Sequence, residues 1–482
     1  MSRNSGLSLP LLALVAIALT ALPSCSRKAN ADTKPKTDTP AGAVSIPTAP
    51  AIAPDGAIPH VVRRGETVAS VLHSFSPAMT YETAPEMDAA FRKANSDLKG
   101  NALTPGSIVY VPGVTHVFDE HPDQVPSDFE VRAIYLTGVM AASEHGARII
   151  REWKSVGGNA VVFDVKDSDG IINIPFVHPV NSSAQHPYIR NLSKLVHFLH
   201  EQNMHAIARI AIFRDEQLVT RHPELAVHSR ATGQPWRENG KLVWTDPSNL
   251  EVQRYDIALA KAAAALGVDE VQFDYVRFPA EGDQKDAKFQ YESAHPDWHR
   301  TDVITHFLED AHRDLRPTGV LLSLDVFGVM AWQRPVDLAH TGQDIPNMAR
   351  NCDVMSPMIY PSHFFGMDGY ADPGDAPEHF ISESMERFRK VTAGTGVVLR
   401  PWLQAFGWRT KTYSPEYIVT QVGVARGNGG VGFLFWNARN DYSKPFAAMP
   451  VMRRDPKKFF QVYGSSVASA SAPQPVAPGG GK

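Results

Sequence analysis

The sequence predicts an α/β fold: a (β/α)8 TIM barrel preceded by a small α+β module. Three observations carry this prediction. Eight short apolar runs recur after residue 130, helical stretches alternate with them, and acidic, amide and aromatic residues gather where the runs end. Strand and helix alternation predicts parallel strands, and eight repeats favour a closed barrel over an open sheet. The predicted strands are 131–137, 160–165, 206–213, 271–278, 320–326, 354–360, 398–405 and 432–436.

The stretches between these runs have the apolar spacing of amphipathic helices. No glycine-rich phosphate loop follows the first predicted strand, which disfavours nucleotide binding. We therefore predict no cofactor. The predicted helices are 144–155, 189–202, 250–266, 302–315, 378–391 and 415–425.

Residues 1–25 are predicted to be an export signal. The apolar run 7–22 is too short to favour a membrane-spanning helix. The segment that ends at Cys25 resembles a bacterial lipobox, which implies acylation of Cys25 and a membrane anchor, and Ser26 favours sorting to the outer membrane, facing the periplasm. Pro23 departs from the lipobox pattern, so ordinary secretory cleavage remains the alternative.

Charge and composition limit the other functions and segments. The chain has 47 Lys plus Arg against 51 Asp plus Glu, so its net charge of -4 gives no sign of nucleic-acid binding. Its 2 cysteines cannot form an intramolecular disulfide once Cys25 is acylated. Residues 26–59, rich in Ala, Pro, Thr and Lys, are predicted to be a disordered tether, and residues 465–482 a disordered tail.

Residues 60–113 are predicted to form the small module, with a strand, two helices and a second strand. A turn at Gly65 precedes a helix that begins after Thr67. Gly-Glu-Thr at 65–67 and Pro-Gly-x-x-Val-x-Val-Pro at 105–112 resemble a LysM module. That resemblance implies binding to N-acetylglucosamine glycans, principally peptidoglycan. A spacer domain without a ligand is the alternative.

The fourth barrel strand places an acid at the functional end of the barrel. Asp274 lies on the face opposite Val271, Phe273 and Tyr275, and Pro279 is predicted to end the strand because it cannot donate to a ladder. TIM barrels hold their active sites at the carboxyl ends of their strands. The same reasoning places further side chains at this rim: Asp164, Asp167, Arg209, Asp325, Tyr360, Arg400, Trp402, Gln404, Trp436 and Asn437.

The runs carry the motifs AIYLT (133–137), FDVKD (163–167), ARI (208–210), QFDYVRFP (272–279), LDVFG (324–328), SPMIYPSH (356–363), RPWLQ (400–404) and LFWNA (434–438). In this order they resemble a bacterial glycoside hydrolase domain family, distantly related to the α-amylase-like barrels. The resemblance covers about residues 132–442 and implies a TIM barrel that cleaves glycosidic bonds in a polysaccharide.

Glycosidic cleavage uses two carboxyl groups, about 5–5.5 Å apart in retaining enzymes and about 6.5–9.5 Å apart in inverting ones. Neighbouring strands lie about 4.8 Å apart, so Asp274 and Asp325 on strands four and five fit the shorter separation. By analogy with α-amylase-like barrels, we predict Asp274 as the nucleophile and Asp325 as the acid/base. Because the acid in those enzymes is usually Glu, Asp164, Asp167 or Glu281 could supply the second carboxyl instead.

The remaining rim residues are predicted to bind the sugar, since aromatic rings stack on apolar sugar faces and polar groups bind hydroxyls. The alternative is that the aromatic residues belong to the core, that Arg209, Arg277 and Arg400 hold the acids in an ion-pair network, and that the loop histidine is solvated. The predicted substrate contacts are Tyr135, Asp167, Arg209, Tyr360, His363, Arg400, Trp402, Gln404, Trp436 and Asn437.

The sequence contains no motif for a metal-dependent or a serine hydrolase. The 19 histidines include no His-Glu-x-x-His, so no metal site is predicted, and no Gly-x-Ser-x-Gly turn is present. Two function classes remain. The first is a lipid-anchored glycoside hydrolase that acts on an envelope or extracellular polysaccharide and is targeted by its LysM-like module. The alternative is a non-catalytic, glycan-binding lipoprotein of the cell envelope.

Overall fold

The computed structural model describes residues 56–115, 118–181 and 186–461. The predicted export signal, Cys25, nearly all of the predicted tether and the predicted tail lie outside the described residues. Within these ranges, the helices are all too short or too polar to cross a membrane. The described chain forms an N-terminal module and a barrel, joined by a linker between residues 114 and 131.

The N-terminal module, residues 57–114, has two antiparallel strands and two helices. Asn95 connects them, because its side-chain amide bonds both the N–H and the carbonyl of Tyr110 at 2.7 Å. The first strand begins three residues before the predicted boundary, and Pro59 pairs there with Tyr110. Thr67 caps the first helix, as predicted. The elements are Ala57–Val61, Val68–Phe75, Ala84–Ala94 and Ile108–Pro112.

The second unit is the predicted TIM barrel. Its parallel strands pair in chain order, and the last pairs with the first, for example at Phe435 and Ile134, which closes the barrel. The fold prediction is confirmed. The strands are Val131–Leu136, Ala160–Lys166, His205–Ala211, Glu270–Asp274, Leu321–Phe327, Val354–Ile359, Val398–Leu399 with Trp402–Gln404, and Gly432–Trp436.

Helices cover the outside of the barrel. The outward strand residues Phe163, Phe273 and Leu324 are fully buried beneath them, while Ala133 and Val162 belong to a separate cluster inside the barrel. The longer helices are Glu144–Val156, Leu192–Glu201, Leu250–Ala264, Arg300–Leu315, Pro377–Val391, Pro415–Gly427 and Ser443–Met452. The shorter ones are Gly138–Ala141, Glu216–Arg221, Tyr291–Ala294, Pro335–Thr341, Ile345–Met348 and Pro456–Phe459.

The fourth and seventh strands differ most from the prediction. The fourth ends at Asp274, several residues before Pro279, because Tyr275 turns into the left-handed region with φ 56°. The seventh is interrupted between Leu399 and Trp402, where Pro401 has no N–H to donate to the ladder.

The loops after strands three and four form one cover beside the carboxyl rim. His228–Ser229 pairs with Ala287–Lys288 in an antiparallel sheet. Trp236 and Trp244 are 3% and 1% exposed, so they form the core of the cover.

The linker runs from the module to the amino end of the barrel. Glu120 lies 2.6 Å from His197 Nδ1 and 2.7 Å from His200 Nδ1. The helix that carries both histidines also carries Lys194, whose Nζ donates to Tyr81 O of the module at 2.5 Å. One helix therefore contacts both the module and the linker.

Candidate active site

One arginine gathers three acids inside the carboxyl end of the barrel. Arg209, from strand three, donates from Nη1 to Asp164 at 2.6 Å and from Nη2 to Asp274 at 2.5 Å. Its Nε lies 3.8 Å from Asp325. The predicted catalytic acids of strands two, four and five therefore meet around a single guanidinium, and their side chains are almost fully buried.

Asp274 is held at both carboxylate oxygens. Arg209 binds one, and the backbone N–H of Tyr275 donates to the other at 2.6 Å. This second bond depends on the left-handed backbone of Tyr275, a conformation that costs an ordinary residue about 1–2 kcal/mol. The Arg277 guanidinium packs over the Tyr275 ring at 5.3 Å and supports the turn. At 11%, the Asp274 side chain is the most exposed of the three acids.

Asp325 sits deeper, with a side chain that is 1% exposed. Burial and the nearby charge of Asp274 raise its pKa well above the usual range, although Arg209 and Trp402 oppose the shift. Trp402 donates from Nε1 to Asp325 at 2.6 Å. The surroundings therefore disfavour the charged form of Asp325, while Arg209 and the Tyr275 N–H bind both oxygens of Asp274.

Asp164 positions its neighbours. It accepts from Arg209 on one oxygen and from the Tyr135 hydroxyl on the other, at 2.5 Å. Burial raises the pKa of Asp164, while these two bonds oppose the rise. The Tyr135 ring stacks on Trp436 with centroids 4.1 Å apart. Trp402 is 1% exposed and meets Trp436 edge-on, so of these two tryptophans only Trp436 lines the cavity above the acids.

That cavity has a volume of about 250 Å³. Besides Asp164 and Arg209, its walls include Asp167, for which burial raises the pKa to about 6. Asp167 accepts from the backbone N–H groups of Asp169 and Ile171, both at 3.0 Å. A carboxyl group with this pKa can exchange a proton near neutral pH. Asp167 lines the cavity, whereas Asp274 and Asp325 are not among its lining residues.

Glu281, the other acid considered for the second carboxyl, lies in the cover. It accepts from Asn239 at 3.2 Å and does not line this cavity.

Asn173 also lines the cavity and was not predicted. It is 2% exposed, and its Nδ2 has no hydrogen-bond partner among the described residues. A buried amide without a partner costs free energy and is a ready donor to a ligand oxygen. Strand parity could not reveal Asn173, because it lies in a loop that folds back on strand two, where its backbone N–H donates to Val165 O at 2.8 Å.

Two predicted sugar-binding residues support loops instead. Gln404 accepts from Ser362 N at 3.1 Å and donates to Thr410 at 2.8 Å. Asn437 donates to Ala405 O at 2.6 Å. Their polar atoms thus serve internal bonds at the rim.

Tyr360 and His363 lie together in an aromatic group at the rim. Their ring centroids are 5.4 Å apart, and Trp408 lies 5.1 Å from His363. Burial and the charge of Arg409 lower the pKa of His363 to about 4, so it is neutral at pH 7. Tyr360 is the closer to the acids: after burial, the charges of Asp325 and Asp274 add to the rise in its pKa.

The structure places Arg400 away from the site. It pairs with Glu270 at 2.7 Å, and both side chains are fully buried. Glu270 precedes Asp274 by four residues in the same strand, which is roughly 13 Å toward the amino end of the barrel. The parity prediction found the correct face of the strand, but Arg400 is too deep to contact a ligand in the cavity.

Among the described residues, one group has the spacing to hold a metal ion. Asp123, His200 and Asp269 bring potential ligand atoms within 4.8 Å of one another. The group lies at the amino end of the barrel, where His200 Nε2 is 3.2 Å from both oxygens of Asp269. It is therefore remote from the candidate active site.

No curated protein matches this sequence. A solved glycoside hydrolase domain, PgaB (BpsB) from Bordetella bronchiseptica, is 15% identical over 67% of this chain and 98% of its own, with a TM-score of 0.50. A β-galactosidase from the psychrophilic Marinomonas ef1 is 11% identical over 68% of this chain and 59% of its own, also with a TM-score of 0.50. These likenesses show a shared fold.

A hypothetical protein from Ruminiclostridium thermocellum ATCC 27405 is 35% identical over 40% of this chain and 97% of its own, with a TM-score of 0.36. The family model described as "Putative glycosyl hydrolase domain" matches residues 133–442, well over half of the chain and nearly the whole barrel. This confirms the family predicted from the strand-end motifs. The chain belongs to this glycosyl hydrolase domain family.

Proposed function

We propose that the barrel hydrolyses a glycosidic bond in a polysaccharide. The observation that carries the proposal is that Arg209 brings together two acids in different surroundings: Asp274 is bound at both oxygens, while burial and the charge of Asp274 raise the pKa of Asp325 well above its usual range. Glycoside hydrolysis requires such a difference between two carboxyl groups, since one donates a proton to the leaving oxygen while the other acts as an anion.

In this proposal Asp274 is the anionic group that attacks the anomeric carbon or activates water. Arg209 and the Tyr275 N–H orient it, and its side chain is the most exposed of the three acids around Arg209. Asp325 is the proton donor. Asp167 is the alternative donor because it lines the cavity and has a pKa of about 6. Trp436 offers a ring to a sugar face, and Asn173 offers its free amide hydrogen-bond donor to a hydroxyl.

The experiment is to incubate the purified protein with peptidoglycan, α-glucans, chitin oligomers and polygalactosamine and to assay new reducing ends. We expect release by the wild type, a loss of about 10³-fold or more in Asp274→Asn, and unchanged folding by circular dichroism. Asp325→Asn and Asp167→Asn identify the donor: the variant with the larger loss lacks it. Turnover by Asp274→Asn close to that of wild type would contradict the role of Asp274.

A second candidate function is glycan binding without turnover. The contacts of Arg209 favour this second function. Its guanidinium pairs with Asp164 and Asp274, as it would in an ion-pair network that only stabilises the fold. Binding to one glycan of the panel with no release from any of them would support this function.

We further propose that the N-terminal module binds an N-acetylglucosamine glycan such as peptidoglycan and that Cys25 anchors the protein to the outer membrane, facing the periplasm. The sequence motifs support both statements. Mass spectrometry of the mature N-terminus tests the anchor: an acylated Cys25 is expected, whereas a free N-terminus at another residue would contradict it. A pull-down of residues 56–461 with insoluble peptidoglycan tests binding, and recovery only in the supernatant would contradict that role.

A further inference from the structure

A second, larger cavity lies between the N-terminal module and the barrel. It has a volume of about 900 Å³ and is lined by both units, including Leu72, His73 and Asn101 of the module and Tyr188, Arg190 and Lys194 of the barrel. We call it the interdomain groove. Binding sites for small ligands commonly measure about 300–1,000 Å³, so the groove is large enough to bind part of a polymer, while the cavity above the acids is small.

The groove is fixed in shape by polar contacts around it. Lys194 Nζ donates to Ser76 O at 2.9 Å, and Asn191 donates to Pro77 O at 2.8 Å. On the other side, Ala84 N donates to Glu144 at 2.7 Å. These bonds join module backbone to barrel side chains, so no ordering of the two units is needed before a ligand binds.

Only a thin wall separates the groove from the cavity above the acids. The single helical turn Gly138–Ala141 has Gly138 and Val139 in the cavity wall and Ala141 in the groove. A second connection runs through Asn173 of the cavity, whose carbonyl accepts from the N–H of Ile189 in the groove at 2.8 Å. One helical turn rises about 5.4 Å, so the two spaces are immediate neighbours.

Exposed apolar side chains lie beside this wall. Val139 is 52% exposed and Tyr188 is 49% exposed. An exposed aromatic ring provides a stacking surface for the apolar face of a sugar. The charged groups of the groove are mixed in sign, with Glu82 and Glu144 against Arg190 and Lys194, which suits a chain of low net charge.

We propose that the interdomain groove binds the continuation of the same glycan chain whose reacting bond lies in the cavity, with the chain passing over Val139 and Tyr188. The inference rests on the proposed function for the identity of the chain. It adds that the substrate is an extended polymer and that the module and the barrel bind one strand together.

The test compares Tyr188→Ala with Tyr370→Ala, a matched control, since Tyr370 is 39% exposed and does not line the groove. Both changes are made in the Asp274→Asn background, and affinities for short and long oligomers of each panel glycan are measured by calorimetry. We expect Tyr188→Ala to weaken the binding of long oligomers by about three- to tenfold and of short ones by less than about twofold. Tyr370→Ala should change neither.

Equal affinities of the two variants for long oligomers would overturn the inference, and so would a failure of every panel glycan to bind. The hydrolytic proposal fails separately. If Asp274→Asn still releases reducing ends but Tyr188→Ala loses long-oligomer affinity, the groove stands and the catalytic assignment falls. If hydrolysis is lost in Asp274→Asn but Tyr188→Ala weakens the binding of long and short oligomers equally, the catalytic assignment stands and the groove inference falls.

Discussion

Arg209 Nη2 donates to Asp274 Oδ2 over 2.5 Å, inside the barrel and below the cavity. The same guanidinium binds Asp164, so one cation fixes the carboxylate proposed to react and the acid that orients Tyr135. This arrangement contributes to catalysis if the Arg209 cation orients the acids and adjusts their pKa values. It contributes only to folding if the cation simply neutralises their charges.

Arg209→Met separates these roles when it is compared with Arg400→Met. Both arginines are buried and paired with carboxylates, so each change should lower the free energy of unfolding by about 3–5 kcal/mol. Only Arg209→Met should also abolish glycan hydrolysis at a temperature where both variants remain folded. Equal residual activity in the two variants would assign Arg209 to stability alone.

Asp325→Asn should be tolerated by the fold. The raised pKa of Asp325 means that its charge is unfavourable in the folded protein, so wild type loses stability as pH rises above about 4, the value for an unfolded Asp. Asn lacks that titration. The variant should therefore gain in melting temperature relative to wild type between pH 4 and pH 8, and a constant difference would show that Asp325 is already ionised.

Glu82 predicts a pH effect at the module. Burial raises its pKa to about 7, against the nearby charge of Lys194. Stability should fall as pH rises from about 4.5 to 7, and Glu82→Gln should remove this fall, worth on the order of 3 kcal/mol at pH 8.

Glu86→Gln is the control for Glu82, since the hydrogen bonds of Thr83 and the charge of Arg151 outweigh burial and lower the pKa of Glu86. It should destabilise the protein at pH 8, as followed by calorimetric melting. Identical pH profiles for Glu82→Gln and wild type would contradict the prediction.

His200 predicts a fall in stability with rising pH as well, but in a higher pH range than Glu82. Burial opposes its charge, but hydrogen bonds to Asp269 and Glu120 raise its pKa to about 9. This stabilisation is complete below pH 6.5 and is lost as pH rises through 9. His200→Gln should flatten the melting temperature across that range, while the surface variant His306→Gln should behave as wild type. If the melting temperature of His200→Gln changes with pH as it does in wild type, a group other than His200 is responsible for the change.

Strand parity predicted much of the candidate site. Asp164, Asp274 and Asp325 were found because side chains alternate across strands and because neighbouring strands of a barrel bring their ends together. The structure places all three at Arg209. The family resemblance rested on motifs that are themselves these strand ends.

Strand parity predicts which face of a strand a side chain occupies, but not how far it lies from the carboxyl rim. This explains why Arg400 was wrongly predicted to contact the substrate. The side chain faces the interior as predicted, but Pro401 interrupts its strand and its partner Glu270 lies near the amino end. Gln404 was equally inaccessible to prediction, because its use by Ser362 and Thr410 depends on loops whose paths the sequence does not specify.

The helix Leu192–Glu201 has a mechanical consequence. It binds the module through Lys194 and the linker through His197 and His200, so this one helix connects the described parts of the two units. If the barrel hydrolyses a glycan as proposed, it should cut the polymer at a constant distance from the segment bound in the interdomain groove. The fragments should then share a minimum length, set by the span from Tyr188 to Asp274, instead of shrinking to single sugars.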